Sequence, residues 1–292
     1  QHRFGVHQRV ALLDKGAERY PHQLVMTATP IPRTLAMRAY ADLDTSVLDE
    51  LPPGRTPVTT IAVDQLRRDE VIARVGAACQ QGRQAYWVCT LVEASDQLDA
   101  EAAEAAAERL RADCPQLRVG LVHGRMKPAD KQAVMNTFKA GTLDLLVATT
   151  VIEVGVDVPN ASLMVIENAE RLGLAQLHQL RGRVGRGAQA SHCVLLYQGP
   201  LSQQAKARLA VMRETTDGFR IAERDLELRG PGEVMGTRQT GDMNFRIADI
   251  LRDEPLLEHS KQLAEYLLQQ DRSAGERLIQ RWLGTAAQYG EV

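Results

Sequence analysis

The chain of 292 residues is short of several things at once. It has no excess charge: 35 Lys and Arg stand against 37 Asp and Glu, a net −2, so it is no bulk polycation binding nucleic acid by charge alone. It has no apolar run near the ~20 residues that a membrane helix needs. It begins at Gln1 rather than Met, and no basic, apolar, small-residue leader precedes the first charged segment, so no signal peptide is read. Cys79, Cys89, Cys114 and Cys193 form no CxxC pair and no zinc spacing. Scattered cysteines of this kind read as reduced thiols, and the expected location is cytoplasmic. There is no Gly-Lys dipeptide, and therefore no GxxxxGK[ST] loop to cradle phosphates. A length of 292 corresponds to about two domains.

What is present is unevenly spread. Residues 171–246 carry 12 basic and 7 acidic groups, net +5, while 51–170 carry 12 and 16. Eleven of the twelve basic residues in the positive block are arginines, whose planar fork suits phosphate better than a diffuse charge does. A solvated Arg-rich surface would give the same count.

Short apolar runs at 23–29, 59–64, 84–91, 118–123, 144–150, 163–168 and 192–197 alternate with helical patterns near 31–41, 67–81, 98–113, 127–140 and 175–184. Continuous apolar strands separated by helices predict an α/β fold: a parallel sheet with helices on both faces. Three prolines and a glycine in Leu51-Pro-Pro-Gly-Arg-Thr-Pro57 mark a linker. From about 201 the pattern becomes helical, with a Gly-rich stretch at 230–241. Leu256, Leu257, Leu263, Leu267 and Leu268 recur at near-helical spacing, which favours a packed face.

Four stretches carry chemistry. Thr27-Ala-Thr-Pro-Ile-Pro-Arg-Thr34 follows an apolar strand and leads into a helix. Alone it reads most simply as a βα turn with a helix-starting proline. Thr149-Thr-Val-Ile-Glu-Val-Gly-Val-Asp-Val-Pro159 again follows a buried strand. There Gly155 permits close backbone approach and Asp157 could accept from a ribose, although an ordinary loop fits as well. Gln179-Leu-Arg-Gly-Arg-Val-Gly-Arg186 interleaves arginines with glycines at a helix end. Each glycine costs a helix about 1 kcal/mol relative to Ala, which points to close backbone approach. Arg183 and Arg186, three apart, would share one helical face and could meet a triphosphate. Arg224 to Gly241 alternates charged groups with Gly230, Gly232, Gly236 and Gly241, as a folded loop or hairpin would.

The order and spacing of these stretches resemble the later motifs of superfamily-2 helicases. Gln1-His-Arg-Phe-Gly5, Tyr86-Trp-Val-Cys-Thr-Leu, His123-Gly-Arg-Met-Lys127 and Gly230-Pro-Gly are similar to the RecG branch-migration family in particular. The block Arg224 to Gly241 resembles that family's translocation motif; transcription-repair coupling factors share it and the later motifs, and stand as the alternative. A non-catalytic nucleic-acid-binding module is a second alternative, from another class.

The RecG resemblance implies a RecA-like parallel sheet with a mostly helical C-terminal extension. Residues 1–50 would be the end of a first motor domain, 51–200 a second motor domain, and 201–292 a coupling region. It implies ATP and Mg²⁺ as cofactors, with the Mg²⁺ ligands outside this chain. The implied partner is branched double-stranded DNA, at replication forks and Holliday junctions, with single-stranded-DNA-binding protein as a further partner. By the same resemblance Arg183 and Arg186 are arginine fingers, Gly155, Asp157 and Gln179 meet the nucleotide, and Thr27, Thr29, Arg208, Arg229 and Gln239 couple hydrolysis to movement. Since the phosphate cradle and the metal-binding acids are absent from the sequence, the chain by itself is expected neither to hydrolyse ATP nor to unwind forks.

Overall fold

The computed structural model describes residues 24, 26, 46, 48, 50, 55–90, 96–149, 158–187, 189–229 and 253–282. The chain divides into two compact units, residues 44–228 in one and residues 1–43 with 229–292 in the other.

The 44–228 unit is built on six strands: β1 (Val58–Asp64), β2 (Gln84–Val88), β3 (Val119–Val122), β4 (Leu145–Ala148), β5 (Ala161–Ile166) and β6 (Ser191–Tyr197). They form one sheet in the order β1-β6-β5-β2-β4-β3, every pairing parallel. β2, β4 and β5 are buried along their whole length, as strands sandwiched between helix layers must be. Alternate residues of these strands serve opposite faces. Trp87, Val147 and Val165 meet α1 (Arg68–Gln80) and α2 (Asp96–Asp113) through Val71, Val75, Ala107 and Leu110. Tyr86, Met164 and Leu195 meet α3 (Pro128–Lys139), α4 (Leu174–Arg181), α5 (Gln203–Glu214) and α6 (Gly218–Arg229) through Phe138, Leu177, Met212 and Ile221. The predicted α/β sheet with helices on both faces is the observed one.

Local chemistry sets the helix limits. α3 opens on Pro128, where a missing N–H costs nothing. α5 is capped by Ser202, whose hydroxyl accepts from the Ala205 amide. α1 ends before Gly82 at φ +86, a left-handed C-terminal stop.

Two boundaries differ from the sequence reading by three residues. The run predicted as a strand over 84–91 pairs only through Val88. Beyond it, Thr90 turns its hydroxyl to the Glu167 carbonyl and accepts from Asn168 Nδ2 at 3.0 Å. The helix predicted over 175–184 stops at Arg181, because Gly182 caps it and Gly185 lies at φ +82. The run at 23–29 and the helix near 31–41 lie outside the described residues.

In the second unit, α7 (Leu257–Gln270) and α8 (Arg272–Trp282) pack on one another, with Gly275 of α8 beside Leu267. Leu256, Leu263 and Leu268 are each more than half exposed, so the helical spacing of these leucines does not by itself bury them. The Gly-rich stretch 230–241 lies outside the described residues. No helix among the described residues is long and apolar enough to cross a membrane.

Candidate functional site

The site is built around α4. Buried Leu174, Leu177 and Leu180 fall on one stripe and seat the helix on the sheet. The helix runs from the carboxyl edge, beside the turn Ala169–Arg171, to the amino edge, where the chain enters β6 at Ser191. Gln179, half-buried, lies in its last turn. Past Arg181 the helix unwinds through tight bonds, Arg183 N to the Leu180 carbonyl at 3.0 Å and Val184 N to the Arg181 carbonyl at 3.3 Å.

Arg183 and Arg186 therefore sit on a loop and not on a shared helical face. Glycine is what permits the loop. A Cβ on Gly185 would come within 2.8 Å of Val58 Cγ2 and 3.0 Å of the Thr56 carbonyl, and one on Gly187 would run into the Pro159 carbonyl. The loop is thus pressed between the start of β1 and Pro159, two residues before β5. The sequence reading of Gly185, close backbone approach, matches this packing. What it approaches is the protein's own chain.

Arg181, in the middle of the same octapeptide, behaves differently. It is 3% exposed. Its Nη1 donates to the Met212 and Thr215 carbonyls, both at 2.9 Å, and its Nη2 lies 3.2 Å from His178 Nδ1. Met212 and Thr215 are at the C-terminus of α5, where carbonyls lack helical partners and the helix dipole favours a cation. Arg181 thereby latches α4 to α5. Sequence reasoning passed it over. The one available signal was its position, four residues after Leu177 and seven after Leu174, which puts an arginine on the buried leucine stripe.

Burial pushes the His178 imidazole down to about 4, with the Arg181 and Arg55 charges acting in the same direction and Asp217 opposing them. At neutral pH His178 is uncharged and can accept from Arg181. Burial also drives the thiols of Cys79 and Cys193 up to about 12, and Cys89 and Cys114 shift the same way. All four cysteines are free and buried, which makes them inert packing groups.

A second polar cluster occupies the carboxyl edge. Arg68 Nε donates to Glu167 Oε1 at 2.8 Å, and the guanidinium lies 5.1 Å from the Trp87 ring centre. Arg208 of α5 donates through Nη2 to the Glu170 carbonyl at 2.7 Å, so it is held beside the 169–171 turn. Thr149, 3% exposed, directly follows β4, with its hydroxyl buried and unpartnered. It stands at the start of the stretch that holds Gly155 and Asp157.

The structure thus brings Gln179, Arg183 and Arg186 together on one helix end and its loop. It places Arg208 apart from them, and ends α6 on Arg229, whose side chain is not described. Thr27, Thr29, Gly155, Asp157 and Gln239 lie outside the described residues. Among the described residues no group of three or more His, Cys, Asp or Glu could hold a metal ion. The half-buried arginines are a donor set that suits a nucleotide's phosphates.

Residues 68–188 match the helicase conserved C-terminal domain, and residues 215–280 match the C-terminal part of domain 3 of the ATP-dependent DNA helicase RecG. The chain belongs to the RecG family. It is 65% identical to the ATP-dependent DNA helicase RecG of Escherichia coli K12 over its whole length, and 49% identical to that of Aquifex aeolicus over 92% of it. A solved structure of RecG bound to a three-way DNA junction matches 88% of the chain, at 46% identity and a TM-score of 0.66. The chain spans 43% of the Escherichia coli protein and 32% of the chain in that structure, less than half the length of the relatives it matches. The similarity to RecG proteins favours that family over the coupling-factor alternative.

Proposed function

We propose that this chain is the motor-half segment of an ATP-dependent DNA helicase that remodels branched DNA, acting at stalled forks and Holliday junctions in repair and recombination. The observation that carries the reading is the loop 182–187. Two glycines press it between β1 and Pro159, and it presents Arg183 and Arg186 from a rigid seat. An arginine finger has to be held in this way, because it acts by meeting charge that develops on the γ-phosphoryl oxygens.

In this reading residues 1–50 close a first RecA-like domain and 51–200 form a second. Residues 201–292 couple the two to DNA, with α5 and α6 seated on the second. Gln179, Gly155 and Asp157 contact the nucleotide, and Thr27, Thr29, Arg208, Arg229 and Gln239 relay its state. Mg²⁺ is held by acids outside this chain. The protein works in the cytoplasm, with single-stranded-DNA-binding protein as a second partner.

The test is phosphate release by the complete protein in the presence of branched DNA. Arg183→Ala and Arg186→Ala should each lower turnover by about 10³-fold or more, the scale of a lost arginine finger. Turnover that survives both changes would remove the finger assignment. The chain 1–292 alone should show no DNA-stimulated turnover, because the sequence holds no phosphate cradle.

A further inference from the structure

The turn after β5 joins two parts of the unit that the sheet alone does not connect. Asn168 stands at its start with φ 48 and ψ 42, the one non-glycine residue at positive φ among the described residues. Asparagine tolerates this left-handed conformation better than most residues, yet it still carries a cost, so surrounding bonds have to hold it there. Buried Thr90, just past β2, supplies them. Asn168 Nδ2 donates to the Thr90 carbonyl at 3.0 Å, and the Thr90 hydroxyl donates to the Glu167 carbonyl.

The left-handed step carries the chain into the short helical turn Ala169–Arg171. Ala169 is buried, Glu170 Oε2 accepts from the Gln198 amide at 3.3 Å, and Arg171 N donates back to the Asn168 carbonyl at 3.0 Å. The Glu170 carbonyl then accepts from Arg208 Nη2 at 2.7 Å. Arg208 Nε is buried and makes no hydrogen bond, so the lie of this guanidinium depends on the Glu170 carbonyl. On the other side of Thr90, Cys89 N donates to the Ala148 carbonyl at 2.8 Å, next to the unpartnered Thr149 hydroxyl. A continuous run of bonded residues thus leads from the carboxyl edge at Thr149, through Thr90 and Asn168, to Arg208 on α5.

We propose that Asn168 is a positioning residue for Arg208. Its left-handed backbone and its amide bond to Thr90 set where the Glu170 carbonyl lies, and so where the Arg208 guanidinium is held. The proposal rests on the reading of Arg208 as a residue that couples hydrolysis to movement. Asn168 touches neither nucleotide nor DNA in this scheme. It gives the end of β2 a hold on α5, so that a shift of the carboxyl edge moves the guanidinium with it.

The test uses the complete protein on a labelled model fork, with ATP hydrolysis and strand separation recorded together, and reads strand separation per ATP hydrolysed. Asn168→Gly keeps the left-handed conformation without steric cost and removes the bond to Thr90. It should lower this yield about three- to tenfold, the scale of one net hydrogen bond, while ATP turnover and the ATP concentration for half-maximal rate stay within about twofold. Asn168→Asp keeps the shape but turns the donor into a carboxylate facing the Thr90 carbonyl, and should lose at least as much. In an Arg208→Lys background, which keeps the charge and loses the planar fork that meets Glu170, Asn168→Gly should have little further effect.

An unchanged yield for Asn168→Gly, or an equal fall in both backgrounds, would overturn the positioning role while leaving the coupling reading of Arg208 intact. An Arg208→Ala protein that separates strands at the unaltered yield would overturn the coupling reading itself, and the proposal with it. The unfolding midpoint of Asn168→Gly should change little, because relief of the left-handed backbone offsets the lost bond. A midpoint that falls in step with the yield across the variants would mark Asn168 as merely structural and overturn the proposal.

Discussion

Arg181 and Arg186 lie five residues apart in one short stretch, yet the chain uses their charges in opposite ways. Arg181 ends α4, is removed from water, and spends its donors on the Met212 and Thr215 carbonyls of α5. Arg186 stands past the helix end, half-buried, on a loop that two glycines hold against β1 and Pro159. Side-chain chemistry cannot separate the two, since they are the same residue. The difference lies in the backbone. Before Gly182 the chain is still helical and faces the core, while after it the left-handed Gly185 carries the chain out of the helix. A motif of alternating arginines and glycines therefore holds two arrangements in series, a buried latch that fixes the segment and a pair of half-buried arginines on a loop beyond the helix end.

The comparison can be broken at several points. The largest stability effect should come from Arg181→Ala. It leaves two helix-end carbonyls without their cation, and unfolding by denaturant should show a loss of about 2–4 kcal/mol. Arg183→Ala should leave the unfolding midpoint nearly unchanged, and equal losses in the two variants would erase the distinction between latch and loop. Gly187→Ala comes next. The new methyl meets the Pro159 backbone, which cannot swing aside as a side chain would, and a loss of about 1–3 kcal/mol is expected in the same experiment.

A comparable or smaller effect is expected from pH. The folded His178 holds its proton only below about 4, while the unfolded residue titrates near 6.5. The unfolded state therefore binds more protons between those values, and stability should fall as pH drops through that window. The loss should be on the order of 1–3 kcal/mol by pH 4. His178→Gln should flatten this part of the pH profile, and an unchanged slope would show that the imidazole is not the group responsible. The smallest effect belongs to the exposed Arg67–Glu70 pair at the start of α1, 2.8 Å apart. Arg67→Ala should leave the unfolding midpoint where it is, because such surface pairs contribute little.

Much of this was legible in the sequence, and the parts that were not share a cause. Apolar runs such as those of β2, β4 and β5 have only one stable use, between two helix layers, so fold class and strand order along the chain could be read from residue type. The end of α4 was misplaced by three residues. A helical count carries Arg183 and Arg186 onto one face, whereas a glycine at φ +82 is a property of packing, fixed by Val58 and Thr56 from elsewhere in the chain. The buried role of Arg181 was hidden for a similar reason. Its partners on α5 are 31 and 34 residues away, and a charged side chain gives no local sign that distant carbonyls will enclose it. The leucines of α7 teach the converse, because helical spacing announces a face and not what covers it. Of the residues assigned to nucleotide and coupling, Gln179, Arg183 and Arg186 lie on the end of α4 and the loop that follows it.

The division between latch and finger is tested most directly by one measurement: phosphate release at saturating ATP by the complete protein with branched DNA, normalised to the folded fraction, for Arg181→Lys and Arg186→Lys side by side. Lysine keeps the charge and loses the planar fork. Arg186→Lys should lose most of its turnover, about 10³-fold or more, with an unchanged unfolding midpoint. Arg181→Lys should unfold more easily, while its folded fraction turns over within about threefold of the unaltered protein, a difference under about 1 kcal/mol in barrier. The reverse pattern, a silent Arg186→Lys beside an Arg181→Lys that folds normally but does not hydrolyse ATP, would contradict the account.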